Sequence, residues 1–264
     1  MTPEERAQAL EVARAIGRWA AAAIRTGPGA ERPWTKGASP SDWVTAVDVA
    51  VEAGVRERLA QAYPHHRVVG EEGGASGEAQ APLVWYVDPV DGTTNFAHGL
   101  GWASFSLALV EDGQPQVGVV EDPFRGRSFH AVLGGGAYLD ERRLEVAAGD
   151  PAGQVVLLEL AGHRRWPGFE RLSRALEDNG VTARVMGSSA LGLAETAAGS
   201  AAGVVLGEFH PWDVAAGALI LTEAQGVLAD LAGRVSPLPE RGLIGGSGAW
   251  VLRLHDWLRA DRGR

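Results

Sequence analysis

Trp85-Tyr86-Val87-Asp88-Pro89-Val90-Asp91-Gly92-Thr93-Thr94-Asn95-Phe96 is the stretch from which the rest of the chain can be read. The apolar run entering it, Leu83 to Val87, reads as a strand. Pro89 excludes a helix and holds the backbone extended, so Asp88 and Asp91 can face one centre with the Val90 carbonyl beside them. Gly92 permits a tight turn. Thr93 and Thr94 then present amides and hydroxyls at what reads as a helix start, where unpaired N–H groups and the helix dipole favour a phosphate. Taken alone, Asp88 to Gly92 is equally an Asx-type turn. An EF-hand fits poorly, because further alternate acids are missing and Gly99 stands where the closing glutamate belongs.

Two more acidic clusters lie outward from this stretch, Gly-Glu-Glu-Gly-Gly at 70–74 and His-Pro-Trp-Asp-Val-Ala-Ala-Gly at 210–217. Both fall at expected strand ends or helix starts, and carboxylates converging from such places repel unless a cation sits between them. Oxygen donors, with no cysteine in the chain and little histidine nearby, favour Mg²⁺ or Mn²⁺ over zinc. Each acid also has a plainer reading. Glu71 and Glu72 can be solvated loop charges, Asp48 the third-position acid of a capping box begun by Thr45, and Asp213 a first-turn acid favoured by the dipole. Their joint occurrence favours a site. His65, His66, His98, His130, His163 and His210 show no ligand spacing. The nine tryptophans are scattered and read as packing, with Trp212 expected beneath the site.

Farther out, Thr2 and Glu5 have capping-box spacing, and a helix is expected from there to about Ile24. A Gly- and Pro-rich loop follows over Thr26–Ser41, long enough to move over a site. A second helix is expected over Thr45–Ala62. The runs at Arg67–Gly70, Leu83–Pro89, Ser104–Gly113, Pro115–Asp122 and Arg127–Leu133 read as strands, the last three as an antiparallel meander turned by Asp112-Gly113. Beyond residue 150, strand-like Gln154–Leu160, Thr182–Gly187, Ala202–Glu208 and Val227–Leu231 alternate with helices over Pro167–Asn179, Ser189–Ala198, Pro211–Gln225 and Ala249–Leu258. The pattern predicts layered α/β architecture with an antiparallel-rich first sheet and a mixed second one, divided into an N-terminal lobe at 1–150 and a C-terminal lobe at 151–264.

The bulk numbers fit a folded chain. Its 264 residues are 45% hydrophobic and 22% charged. A net charge of −9 without a dense basic stripe argues against a nucleic-acid polymer or an anionic membrane as partner. The absence of cysteine removes disulfides, thiolate zinc sites and cysteine nucleophiles. With no signal peptide or long apolar run, the cytoplasm is the expected location.

In order, these clusters resemble the inositol monophosphatase family, whose signature is Glu-Glu, then Asp-Pro-hydrophobic-Asp-Gly-Thr-Thr-Asn-Phe, then Trp-Asp at a helix start. The likeness runs from Lys36 to Leu228. It implies a layered αβαβα sugar-phosphatase fold, a homodimer, sensitivity to lithium, and hydrolysis of a small phosphate monoester such as inositol 1-phosphate. By the same resemblance Glu71, Asp88, the Val90 carbonyl, Asp91 and Asp213 hold two or three Mg²⁺ ions, with Mn²⁺ as a substitute. Glu71 and Thr93 orient and deprotonate water, and Asp48 supports Thr93. Asp91, Gly92, Thr93, Thr94 and Asp213 face the substrate, and Gly187, Ser188 and Ser189 contact ring hydroxyls. Lys36 resembles a family lysine near the metals, with one residue more in Lys36–Asp42. Leu206 occupies the place of a hydroxyl-binding glutamate, leaving Glu208 as a substitute. Fructose bisphosphate, 3′-phosphoadenosine 5′-phosphate and histidinol phosphate are therefore alternative substrates, and a weakly catalytic metal-binding regulatory protein is an alternative function.

Overall fold

Alternation along the strands sorts the side chains into three cores, and these cores define the layers. In a computed structural model, residues 1–27, 33–35, 43–160 and 164–260 are described. The first half runs α1 (Pro3–Thr26), β1 (Trp34–Thr35), β2 (Trp43–Val44), α2 (Ala46–Ala62), β3 (Arg67–Gly70), β4 (Gly74–Ser76), β5 (Leu83–Asp91), α3 (Thr93–Ala97), β6 (Ser104–Glu111), β7 (Gln114–Asp122), β8 (Arg127–Val132), β9 (Gly136–Leu139) and β10 (Arg142–Arg143). The second half runs β11 (Val155–Glu159), α4 (Phe169–Asp178), β12 (Thr182–Arg184), α5 (Ser189–Ala197), β13 (Gly203–Leu206), α6 (Pro211–Glu223), β14 (Val227–Ala229), β15 (Leu243–Gly246) and α7 (Gly248–Arg259).

An eight-stranded sheet is ordered β10-β9-β8-β7-β6-β5-β3-β4, with only β3 and β5 parallel. The five-stranded sheet, β12-β11-β13-β15-β14, is parallel on one side and antiparallel on the other. On β6, Phe105, Leu107 and Leu109 join a core with α1 and α2, whereas Ala108 and Val110 join a second core with α5 and α6. On β13, Val204 and Leu206 enter that second core, while Val205 faces a third, shared with α4 and α7. Period-two burial thus stacks helices, sheet, helices, sheet and helices, the expected αβαβα order.

The meander is built as the sequence predicts. Asp112 and Gly113 both take positive φ, 49° and 77°, which matches the twist of the flanking strands. Three expectations need correction. Thr182–Gly187 is a strand only to Arg184, because Gly187 at φ 81° turns the chain toward α5. The helix expected to Gln225 ends at Glu223, with Gln225 at φ 67°. Leu-Ile-Gly-Gly at 243–246 is a strand that the pattern did not announce. A Cβ on its Gly245 would lie 2.7 Å from Leu221 and 3.1 Å from both Leu228 and Val204, so the glycine is there to let the core close. Most of the Thr26–Ser41 loop, Lys36 and His163 lie outside the described residues. Among the described residues no helix is long and apolar enough to cross a membrane.

Candidate functional site

A bulge brings the two motif acids to one side of a strand. On β5, Asp88 pairs with Ser106 and Asp91 with Ser104, so three steps on β5 match two on β6. Side chains three apart on a regular strand face opposite ways; the extra residue at Pro89-Val90 puts Asp88 and Asp91 on the same face. That face points toward α5 and α6, since the Ser106 hydroxyl donates to the Trp212 carbonyl at 3.1 Å and Ser104 Oγ donates to Asp91 at 3.4 Å.

Four helix starts surround these acids. Asp48 is the third residue of α2, capped by Thr45, and Asp213 the third residue of α6, where its carboxylate accepts the His210 N–H at 2.7 Å. Asp91 accepts the Ser188 hydroxyl and the N–H groups of Ser189 and Ala190, at 3.2 and 2.8 Å, at the start of α5. Gly92 is the N-cap of α3, and its φ of 92° and lack of side chain are both required, since a Cβ would lie 2.7 Å from the Gly187 carbonyl oxygen. Positive dipole ends at these helix starts suit carboxylates and anions alike.

Asp48 and Thr93 are joined. Thr93 Oγ1 lies 3.1 Å from Asp48 Oδ1 and 2.9 Å from the Val90 carbonyl, both acceptors, so its proton points at this pair and its lone pairs at what lies beyond. Thr94 is exposed, and its carbonyl accepts the His98 N–H at 3.2 Å. Glu71 follows β3, with its own N–H donated to the Val87 carbonyl at 3.3 Å, one residue before Asp88.

The acids raise one another's pKa. Burial drives the Asp88 carboxyl well above its usual range, and the charges of Glu71, Asp91 and Asp213 add to the rise. The Glu71 side chain beside Asp88 favours the protonated form of the Asp88 carboxyl further. Burial lifts Asp91 to about 6 against its own N–H and hydroxyl donors, and lifts Asp48 as well. Among the described residues no three acids are already gathered closely enough to cage a cation, and Asp91 and Asp213 each accept backbone N–H groups. An all-oxygen set whose members raise one another's pKa fits a hard divalent cation such as Mg²⁺.

The expected ring contacts separate. Gly187 is exposed and Ser189 half-buried, but Ser188 is 1% exposed and its hydroxyl serves Asp91 and the α5 cap rather than a pocket wall. Leu206 is wholly buried in the middle core and Glu208 is exposed. Trp212 stacks on His210 with ring centres 4.6 Å apart.

Two acids escaped the sequence reading. Glu52, on α2, takes the N–H groups of Glu72 and Gly73, both at 2.7 Å. Its place one helical turn after Asp48 was the available signal. Glu159, at the end of β11, takes the Gly187 N–H at 2.8 Å while its Oε1 is buried without a partner, and burial pushes it up to about 8. An acid closing an otherwise apolar strand was the clue there.

Comparisons with known proteins show the family and the fold. The inositol monophosphatase family model matches residues 4–262. A Nus factor SuhB from Pasteurella multocida is 38% identical over 210 residues, 78% of each chain. Inositol monophosphatase 1 from Bos taurus is 33% identical over 220 residues, 79% of this chain and 78% of its own. The crystal structure of the extragenic suppressor protein suhB from Bartonella henselae superposes with a TM-score of 0.90 at 26% identity, covering 96% of this chain and 99% of that one.

Proposed function

This chain belongs to the inositol monophosphatase family, and from that premise we propose that it hydrolyses a small sugar or polyol phosphate, with inositol 1-phosphate the first choice. The observation that carries the reading is Asp88, buried among three other acids that all raise its pKa. Glu71, Asp88, the Val90 carbonyl, Asp91 and Asp213 would hold two or three Mg²⁺ ions, or Mn²⁺ in their place. When bound, such cations acidify water and offset charge on the phosphoryl and leaving oxygens.

The chain's own groups do the rest. Thr93 Oγ1, its proton committed to Asp48 or Val90, accepts a hydrogen from the attacking water and fixes its direction. Glu71 takes the proton that water gives up. The Gly92 and Thr93 amides at the start of α3, which has no side-chain cap, support the phosphate, with Thr94 at its edge. Asp91 and Asp213 border the substrate, Gly187 and Ser189 lie on its polyol side, and Ser188 holds Asp91. A homodimer, a cytoplasmic location and lithium inhibition belong to the same reading.

Phosphate release should be measured from inositol monophosphates, fructose 1,6-bisphosphate, 3′-phosphoadenosine 5′-phosphate and histidinol phosphate, with Mg²⁺ and with chelator. Chelator-sensitive release, fastest from an inositol monophosphate, is expected. A different leading substrate would replace inositol while keeping the chemistry. A second reading, a weakly catalytic protein that keeps its acids for a regulatory role, is favoured by buried Leu206 in the place of a hydroxyl-binding glutamate and by the relative named as a Nus factor. No release from any of the four would make that reading the better one.

A further inference from the structure

Asp48, Glu52 and Arg56 stand at successive i, i+4 positions of α2, and each holds a different part of the site. Asp48 receives Thr93. Arg56 donates to the Gly74 carbonyl and the Ser76 hydroxyl, both at 2.6 Å. Between them Glu52, 2% exposed, is fully engaged: Oε1 accepts the Gly73 N–H and Arg56 Nε, at 2.7 and 2.8 Å, and Oε2 accepts the Glu72 N–H at 2.7 Å. The turn leaves room for this carboxylate by having no side chain at Gly70 and Gly73, where a Cβ would lie 2.5 and 2.7 Å from Glu52 atoms.

Glu71 sits at the centre of that arrangement. Its N–H is tied to Val87 on β5, and the two N–H groups that follow it are tied to Glu52. The backbone is thus gripped on both sides of one residue, which fixes the direction in which the Glu71 side chain leaves it, beside Asp88. We propose that Glu52, clamped by Arg56, is the positioning residue for Glu71, so that α2 sets both halves of the water-activating pair, Thr93 through Asp48 and Glu71 through Glu52. The proposal rests on the phosphatase reading for its catalytic consequence and on geometry alone for the grip.

Glu52→Gln tests it with little change in volume, because the amide offers one acceptor where the carboxylate offers two and turns N–H groups toward donors. Amide hydrogen exchange in metal-free protein should become about tenfold faster at Glu72 and Gly73, as expected for loss of charged acceptors, with α1 amides unchanged. In the Mg²⁺-loaded enzyme, kcat should fall about tenfold with KM within about twofold. In a Glu71→Gln background the same change should cost nothing further, since its effect passes through Glu71. Arg56→Met, which leaves Glu52 in place but unclamped, should move exchange in the same direction and serves if Glu52→Gln fails to fold. Unchanged exchange at 72 and 73 in the folded variants overturns the proposal, as does a loss from Glu52→Gln that multiplies fully with that of Glu71→Gln. If the wild type releases no phosphate, the functional reading has failed, and the exchange measurement still decides the grip.

Discussion

Asp91 concentrates the site's chemistry in one side chain, taking four donors on its two oxygens. Asp91→Asn would place an NH₂ against those donors and remove a proposed ligand together. Turnover should drop by roughly two orders of magnitude or more, with a stability loss of about 1–3 kcal/mol for the mismatched buried group, read by phosphate release and urea unfolding. Glu159 makes a different residue-level prediction. Its folded pKa of about 8 lies above the ordinary 4.5, so the folded state holds a proton that the unfolded state releases. Its contribution is therefore intact below about pH 4.5 and is lost as pH rises toward 8, at up to about 1.4 kcal/mol per unit. Glu159→Gln mimics the protonated form. Unfolding free energies at pH 5 and pH 8 should differ less in that variant than in the wild type, and an equal difference would reject the assignment.

Helix caps separate structural from functional elements. α1 and α2 both begin with a capping box, Thr2 with Glu5 and Thr45 with Asp48. Thr2 is exposed and caps a helix that carries none of the site acids, whereas Thr45 supplies Asp48 with its backbone N–H at 2.9 Å and its hydroxyl. Thr2→Ala should lower stability by about 0.5–1 kcal/mol and leave turnover unchanged. Thr45→Ala should cost about 1–2 kcal/mol and also slow turnover, because Asp48 loses a donor that fixes its grip on Thr93. Thermal melts beside phosphate release would separate the two. Both caps were legible in the sequence because each spans three residues. β15 was not, because Leu-Ile-Gly-Gly lacks the β-branched alternation that marks a strand, and its pairing comes from β13 and β14 on either side.

At the scale of the whole molecule the proposed cation ligands come from the turn after β3, from β5 and from α6, which joins the two sheets. An ion bound among them would relieve the mutual repulsion around Asp88 and tie those layers together. The melting temperature should rise with Mg²⁺ concentration as expected for a ligand that binds only the folded state, and chelator should reverse the rise. A flat response would remove these acids from the list of ligands. By itself the sequence determined the layered α/β class, the caps, the meander and the acidic motifs, since those depend on neighbours a few residues apart, while the αβαβα order was implied by the family resemblance. Tertiary structure alone decided that a bulge turns Asp88 and Asp91 to one face, that Ser188 serves Asp91, that Leu206 is core, and that Glu52 grips the turn beside Glu71. Those contacts join residues 20, 45 and 97 apart, between Glu52 and Glu72, Asp48 and Thr93, and Asp91 and Ser188. No local period records such separations; they exist only once the sheets have paired and the helices have packed against them.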